Sequence, residues 1–300
     1  MRAVIILLMM PGVSAPCLML LLAIQTAYQR GLDLYNQHKY AEAIPALEEA
    51  ARAEDPHSTE YQETVLLIGQ SYFLLSQAAN AIPWLEKVPM VNEANYMLGY
   101  AYLQTGQQQK SEVAFARLFG LKPDSPGAHL LAAQMMLKKE YEAQAMTEVQ
   151  QAIALDPKLP EAHFLLAEME IYRGQLDAAI QDLERELAIN PNFSMAWYRL
   201  GDAYSRQEKW DLAIPNLQRA IWLNPDFSGP FILLGKCYFK QHNYSNAEGI
   251  LRRALILDPQ NASATYLLGQ TLMLMGKTAE GRAMLQKWRT LQQGQQNPLP

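Results

Sequence analysis

Residues 194–227 read SMAWYRLGDAYSRQEKWDLAIPNLQRAIWLNPDF, and residues 228–261 read SGPFILLGKCYFKQHNYSNAEGILRRALILDPQN. Both stretches carry a Leu-Gly pair at the same place and a proline near the end. That proline recurs every 34 residues from position 123 to position 259, at Pro123, Pro157, Pro191, Pro225 and Pro259. A period of about 34 residues is typical of a stacked array of helix–turn–helix units. We therefore expect an all-α solenoid that grows by addition rather than a domain built around one closed core.

Within residues 194–227, apolar and small residues follow the spacing of two helices. The first helical face has residues three or four apart, which is one side of an α-helix: Trp197, Leu200, Gly201 and Tyr204. The second face has small residues where the paired helices would cross: Ala213, Leu217 and Ala220. Because Gly201 has no side chain, we expect the partner helix to approach closely there. Pro225 should end the second helix, since proline lacks an N–H and disfavours helix in the residue before it.

These residues resemble the tetratricopeptide repeat (TPR). Its signature is an aromatic residue, a Leu-Gly pair and a tyrosine, followed by alanine, an aromatic or leucine, alanine and a closing proline. The resemblance extends over residues 24–292 as about eight repeats. It implies an all-α, right-handed superhelical solenoid in which the first helix of each pair lines a concave face.

Two features of the second helices carry separate expectations. Only 30 residues separate Gly69 from Gly99, the next glycine of its kind, so we expect a second helix shortened near Pro89. Three further prolines each follow an isoleucine early in a second helix, and we expect them near its first turn, where a missing N–H is tolerated: Pro45, Pro83 and Pro215.

The composition narrows the classes of function. Hydrophobic residues make up 50% of the 300 residues and charged residues 18%, which is apolar enough to bury a continuous core. The net charge of −5 argues against a protein dedicated to nucleic-acid phosphates. The two cysteines, Cys17 and Cys237, provide no disulfide framework, and we expect Cys237 to be a buried helical thiol.

The ends of the chain differ from the repeats. In residues 1–27, Arg2 is followed by a long apolar run, which predicts a signal peptide or a membrane anchor. We therefore expect an exported, periplasmic or membrane-anchored bacterial protein, with a cytoplasmic location as the alternative. Residues 28–292 form the predicted TPR solenoid, and the polar residues 293–300 form a predicted disordered tail.

The resemblance also places candidate binding residues on the first helices, between the packing positions. They are Tyr96, Tyr100, Phe164, Glu168, Tyr198, Asp202, Lys236, Phe239 and Tyr266. Aromatic groups with few charges suit an extended peptide or a partner helix, because they bring a large contact area with little loss of entropy. The other interpretation is that several of them pack against the adjoining repeat. The chaperone-tail clamp of some TPR domains is absent, since Asp202 stands where the clamp requires asparagine.

No pattern in the sequence predicts catalysis. The chain has no P-loop, dinucleotide fingerprint or nucleophile elbow, and no histidines or cysteines at metal-ligand spacing. We predict that the protein is not an enzyme and binds no cofactor and no metal.

We predict instead a scaffold or adaptor that binds a peptide or partner helix in the TPR groove. Two alternatives stay open: a lipid-proximal accessory protein of envelope assembly or polysaccharide export, and a TPR partner subunit of a glycosyltransferase or signalling enzyme acting in trans. RNA binding is less favoured because the chain is acidic, and we expect no nucleic-acid partner.

Overall fold

The computed structural model of the chain describes the backbone of residues 15–296 and the side chains of residues 25–293. Residues 15–296 contain sixteen α-helices joined by short turns, and no β-strand. Their bounds are α1 Ala15–Asn36, α2 Tyr40–Ala53, α3 Thr59–Leu74, α4 Ala78–Leu85, α5 Asn92–Gln104, α6 Gln108–Leu118, α7 Pro126–Leu137, α8 Glu142–Leu155, α9 Ala162–Tyr172, α10 Leu176–Ile189, α11 Ser194–Arg206, α12 Trp210–Leu223, α13 Ser228–Lys240, α14 Tyr244–Leu257, α15 Ala262–Leu274 and α16 Thr278–Gln296. The predicted all-α architecture is confirmed over this range.

The helices form two compact units, Met1–Leu155 and Asp156–Pro300. The described part of the first unit holds α1–α8, and that of the second holds α9–α16. In each unit, a helix packs against the next helix of its pair. The first helices of neighbouring repeats also contact each other, α1 with α3 and α3 with α5 in the first unit, and α9 through α15 in turn in the second. We call the surface formed by these odd-numbered helices the first-helix face of each unit.

Close contact between paired helices confirms the role predicted for the glycines. A Cβ atom added at Gly201 would lie 2.6 Å from Cγ of Leu217, and one at Gly235 would lie 2.6 Å from Cγ of Leu251. Distances this short are below van der Waals contact, so any larger residue would push the helices apart. The glycine of the first helix and the leucine that faces it from the second helix therefore set how closely the two helices of a repeat approach.

The prolines fall into two groups. Second helices end two residues before the periodic proline in most repeats, as α12 does at Leu223 before Pro225. The three early prolines lie near the first turn as predicted, but each is the sixth residue of its helix, where an N–H would normally form a helical hydrogen bond: Pro45 in α2, Pro83 in α4 and Pro215 in α12. At that position the missing N–H leaves one carbonyl of the first turn without its helical hydrogen bond.

The shortened second helix is confirmed. Helix α4 has eight residues, whereas α2, α8, α10, α12 and α14 each have 14. The chain turns back after Leu85, and the side-chain amide of Asn95 fastens the turn by donating to the carbonyl of Pro89 at 2.9 Å.

The first and last described helices each cross a predicted domain limit. Helix α1 runs from Ala15 to Asn36, across the predicted boundary between residues 27 and 28, while residues 1–14 of the predicted signal or anchor lie outside the described range. None of the helices in residues 15–296 combines the length and apolar character needed to span a membrane. At the other end, α16 continues to Gln296, four residues into the predicted tail, and the last four residues lie outside the described range.

Candidate functional site

The aromatic candidates of the second unit lie at one repeated position of the first helices. Phe164, Tyr198 and Tyr266 lie one or two repeat periods apart, and all three are half-buried. The ring of Phe164 packs on Phe193 at 4.8 Å between centroids, and the ring of Tyr198 packs on Phe227 at 5.1 Å. Burial raises the pKa of the Tyr198 hydroxyl above its usual value.

The partners of these rings show what they do structurally. Phe193 and Phe227 are the residues that precede α11 and α13, so each ring pair joins a first helix to the start of the next repeat. In the last repeat the ring of Tyr266 lies 4.8 Å from that of Trp288 in α16. These side chains thus hold the array together and leave only part of each ring for a partner.

Two of the charged candidates on the same face, Glu168 and Asp202, form ion pairs with arginine side chains. The guanidinium of Arg199 in α11 binds the carboxylate of Glu168 in α9, the first helix of the preceding repeat. Arg206 binds Asp202 at 2.9 Å within α11. Lys236 is half-buried and forms no ion pair with any described residue.

The last candidate of this unit, Phe239, lies three residues beyond Lys236 in α13. Its ring is half-buried and lies 5.8 Å from that of Tyr244, at the start of α14. The neighbouring thiol of Cys237 is completely buried, as predicted, and burial raises its pKa to about 11.

In the first unit, one of the two candidates is buried and the other is exposed. Tyr100 is only 2% exposed, so the proposal that it faces a partner is corrected: its hydroxyl donates to the carbonyl of Met135 at 3.1 Å and its ring packs on Phe115. Burial raises the pKa of this hydroxyl to about 12. Tyr96 is 39% exposed and is the candidate that reaches the surface.

Tyr96 borders an apolar groove on the first-helix face of the first unit. The groove has a volume of about 460 Å³ and runs across α1, α3, α5 and the end of α6. We call it the apolar groove, and its lining is Tyr35, Gln70, Phe73, Leu74, Asn92, Glu93, Tyr96, Met97 and Leu118. Leu74 is 49% exposed here and adds aliphatic surface to the aromatic surface of Tyr96 and Phe73.

Most of this lining was missed from the sequence, although a signal was present. Tyr35 and Phe73 each lie four residues after the glycine of their repeat, at Gly31 and Gly69. The candidate Phe239 stands at the same distance after Gly235. The position four residues after the glycine of each repeat therefore identifies both Tyr35 and Phe73.

Comparison with family models assigns the repeats. Models described as tetratricopeptide repeat match residues 28–89 and 143–194, 93–125, 194–227 and 238–297. The chain belongs to the tetratricopeptide repeat family. The TPR matches together cover most of the chain, in agreement with the pairs of helices described above. No match was found among curated proteins.

Solved TPR structures share the fold. YrrB, described as a TPR protein with an unusual peptide-binding site, is 21% identical, aligns over 60% of this chain and 92% of its own, and has a TM-score of 0.53. A MamA protein is 19% identical over 60% of this chain and 98% of its own, with a TM-score of 0.53. MamA from Desulfovibrio magneticus RS-1 is 19% identical over 57% and 97%, with a TM-score of 0.54. At these identities the likeness establishes the TPR fold alone.

The described residues offer no metal-binding cluster. Among them, no group of three or more His, Cys, Asp or Glu side chains is arranged to hold a metal ion.

Proposed function

We propose that the protein is a non-enzymatic interaction scaffold that binds an apolar peptide or partner helix in the apolar groove. The observation that carries this proposal is the groove itself, where Phe73, Leu74 and Tyr96 leave apolar surface open to solvent. Covering such a surface with a partner's aliphatic or aromatic side chains removes it from water, which is the main source of affinity in peptide grooves.

Polar groups in the groove suit a peptide backbone. The hydroxyl of Tyr35 donates to the side-chain carbonyl of Gln70 at 3.1 Å, which leaves the amide N–H groups of Gln70 to donate to a partner carbonyl. Asn92, at the first position of α5, supplies a second side-chain amide on the other side. A few fixed polar groups among apolar walls give a ligand its orientation, as in many small binding sites.

The comparisons support the same class of function. TPR arrays serve protein interaction, and the YrrB structure is described as having a peptide-binding site. The first-helix face of the second unit, with Lys236 unpaired and the aromatic rings already packed, would add charge recognition rather than the main contact area.

The proposal is tested by selecting peptides from a random display library against the full chain and measuring their affinity by fluorescence anisotropy. We expect Leu74→Asp to weaken binding of the selected peptides at least about tenfold, because it places a charge where an apolar side chain docks. The matched control is Leu212→Asp, since Leu212 in α12 is 47% exposed but lies outside the groove. Equal affinity of both variants and the parent would contradict the proposal.

We also propose that residues 1–27 direct export or anchor the protein, because Arg2 and the apolar run that follows have the composition of such segments. Envelope assembly would then be the natural setting for the scaffold, while an enzyme partner in trans would place it elsewhere. Sequencing the N-terminus of the protein from fractionated host cells would decide between a cleaved signal, a retained anchor and a cytoplasmic chain.

A further inference from the structure

A second cavity of the first unit lies away from the apolar groove, at the short helix α4. Its volume is about 540 Å³. We call it the α4–α6 cavity, and its lining is Glu86, Pro89, Leu98, Tyr102, Gln109, Lys110, Val113, Ala114 and Arg117. It shares no residue with the apolar groove.

The cavity is a consequence of the shortened repeat. Helix α4 ends at Leu85 after eight residues, whereas the second helices of the regular repeats continue for 14. Second helices of a TPR array run in the same direction, so the residues missing from the end of α4 are those that would lie beside the end of α6. Val113, Ala114 and Arg117, in the second half of α6, line the space instead.

The charges around the cavity leave an excess of positive groups. The one carboxylate of the lining, Glu86, accepts a hydrogen bond from the hydroxyl of Tyr102 and lies 3.8 Å from the ammonium of Lys110. The ammonium of Lys110 also lies 5.3 Å from the centre of the Tyr102 ring. Arg117 is exposed and forms no ion pair with any described residue, so its guanidinium faces the cavity without a counter-charge.

The remaining wall is apolar. Val113 is half-buried and Pro89 is exposed, and these two present the apolar surface of the wall, while Leu98 and Ala114 are only 2% and 3% exposed and contribute little. Next to Pro89 in the chain, the side chain of Met90 is 93% exposed, although methionine is a residue that readily packs against varied apolar surfaces. An apolar wall with an unpaired arginine fits an apolar segment that carries a carboxylate.

We propose that the α4–α6 cavity is a second docking site, which receives a short apolar helix of a partner protein bearing an acidic side chain. The partner helix takes the place of the missing turns of α4 and covers Pro89 and Val113. Its carboxylate pairs with Arg117, and Met90 packs on its outer side. The site is independent of the apolar groove, so the scaffold holds two partner segments at once.

The test uses the full chain and a short acetylated helical peptide of leucine, alanine and glutamate, labelled with a fluorophore. A matched peptide has lysine in place of glutamate. We expect the acidic peptide to bind more tightly, and Arg117→Glu to weaken it at least about tenfold by replacing attraction with repulsion. Val113→Trp should abolish binding by filling the cavity.

Two controls separate this site from the apolar groove and from general charge effects. Arg253→Glu makes the same charge change at an exposed position of α14 that has no ion-pair partner among the described residues, and it should leave the affinity unchanged. Leu74→Asp, which disables the apolar groove, should leave the preference for the acidic over the basic peptide unchanged. Equal binding of the acidic and basic peptides, no binding of either, or loss of binding in Leu74→Asp but not in Arg117→Glu would each overturn the proposal.

Discussion

Glu170 occupies a position at which the following repeats carry tyrosine, at Tyr204 and Tyr238. The tyrosine hydroxyls reach polar neighbours at 3.1 Å, on Glu184 and Gln218 respectively. The Glu170 side chain is too short to do so: its residue is 9% exposed, and one of its carboxylate oxygens has no hydrogen-bond partner. Burial, and next the negative charge of Asp182, raise the pKa of Glu170 from 4.5 to about 7.

This raised pKa makes a prediction about stability and pH. The folded state disfavours the ionised carboxylate, so the free energy of unfolding falls as the pH rises from about 4.5 to about 7 and stays lower above that range. We expect Glu170→Gln, which is neutral at every pH, to be more stable than the parent by about 1–3 kcal/mol at about pH 8. At about pH 4 the parent carboxyl is protonated and the difference should disappear.

Urea unfolding at the two pH values measures this difference. The control is Glu208→Gln, the same change at an exposed position in the turn before α12. A constant difference between Glu170→Gln and the parent at both pH values would contradict the assignment of a buried ionisable group.

Tyr100 shows why the spacing of residues in the sequence could not identify every member of the binding face. Tyr100 follows its glycine by one residue, as Asp202 and Lys236 do, and the pattern therefore placed all three on the binding face. Helix α5 is apolar on nearly every side, so no period distinguishes its outer face. The hydroxyl of Tyr100 donates to the carbonyl of Met135 in the next repeat, and this contact depends on how two repeats stack.

At the scale of the helix pair, the glycine-to-leucine contact decides how closely two helices pack. In α13 and α14, Gly235 lies against Leu251, whereas Gly249, on the outward side of α14, would place an added Cβ with nothing within 4 Å. The two glycines thus offer the same substitution in opposite surroundings.

We expect Gly235→Ala to lower the free energy of unfolding by about 1–3 kcal/mol, because the new Cβ meets the side chain of Leu251 and the helices must separate. Gly249→Ala should raise it by about 0.5–1 kcal/mol, since alanine loses less backbone entropy in an exposed helix. Thermal or urea unfolding of both variants measures the two signs. Destabilisation by both, or by neither, would mean that the packing of α13 on α14 is not as described.

Two pairs of helices are also joined by a buried contact between a histidine and a carboxylate, which the sequence pattern did not predict. The imidazole of His129 in α7 lies 2.7 Å from the carboxylate of Glu148 in α8, and His163 in α9 lies 2.7 Å from Asp182 in α10. Both residues of the second pair stand one repeat period after those of the first. The period could therefore have suggested the pairing, but the equal spacing of histidine and acid within each repeat has meaning only once the two helices are placed side by side. The shortened α4, in contrast, followed directly from the distance between two glycines.

At the scale of the whole molecule, stability should be distributed along the array rather than shared by one core. The buried apolar clusters of the second unit are local: one joins α9, α10 and α11, and another joins α13, α14 and α15. In such arrays each repeat depends chiefly on its neighbours, and the total stability approximates a sum of repeat and interface contributions. A period in the sequence predicts this arrangement, but it does not predict which repeats are the weakest.

Hydrogen exchange of the Gly235→Ala variant tests this distribution. We expect protection of backbone amides to fall most in α13 and α14, less in the adjoining helices α12 and α15, and not at all in α1–α4, because destabilisation reaches a distant repeat only through every interface between. Mass spectrometry of peptic fragments from the parent and the variant gives the change helix by helix, and Gly249→Ala serves as the control that should reduce protection nowhere. A uniform loss of protection across all helices would instead mean that the chain unfolds as one cooperative body, in which a weakened contact between two helices is felt equally by every repeat.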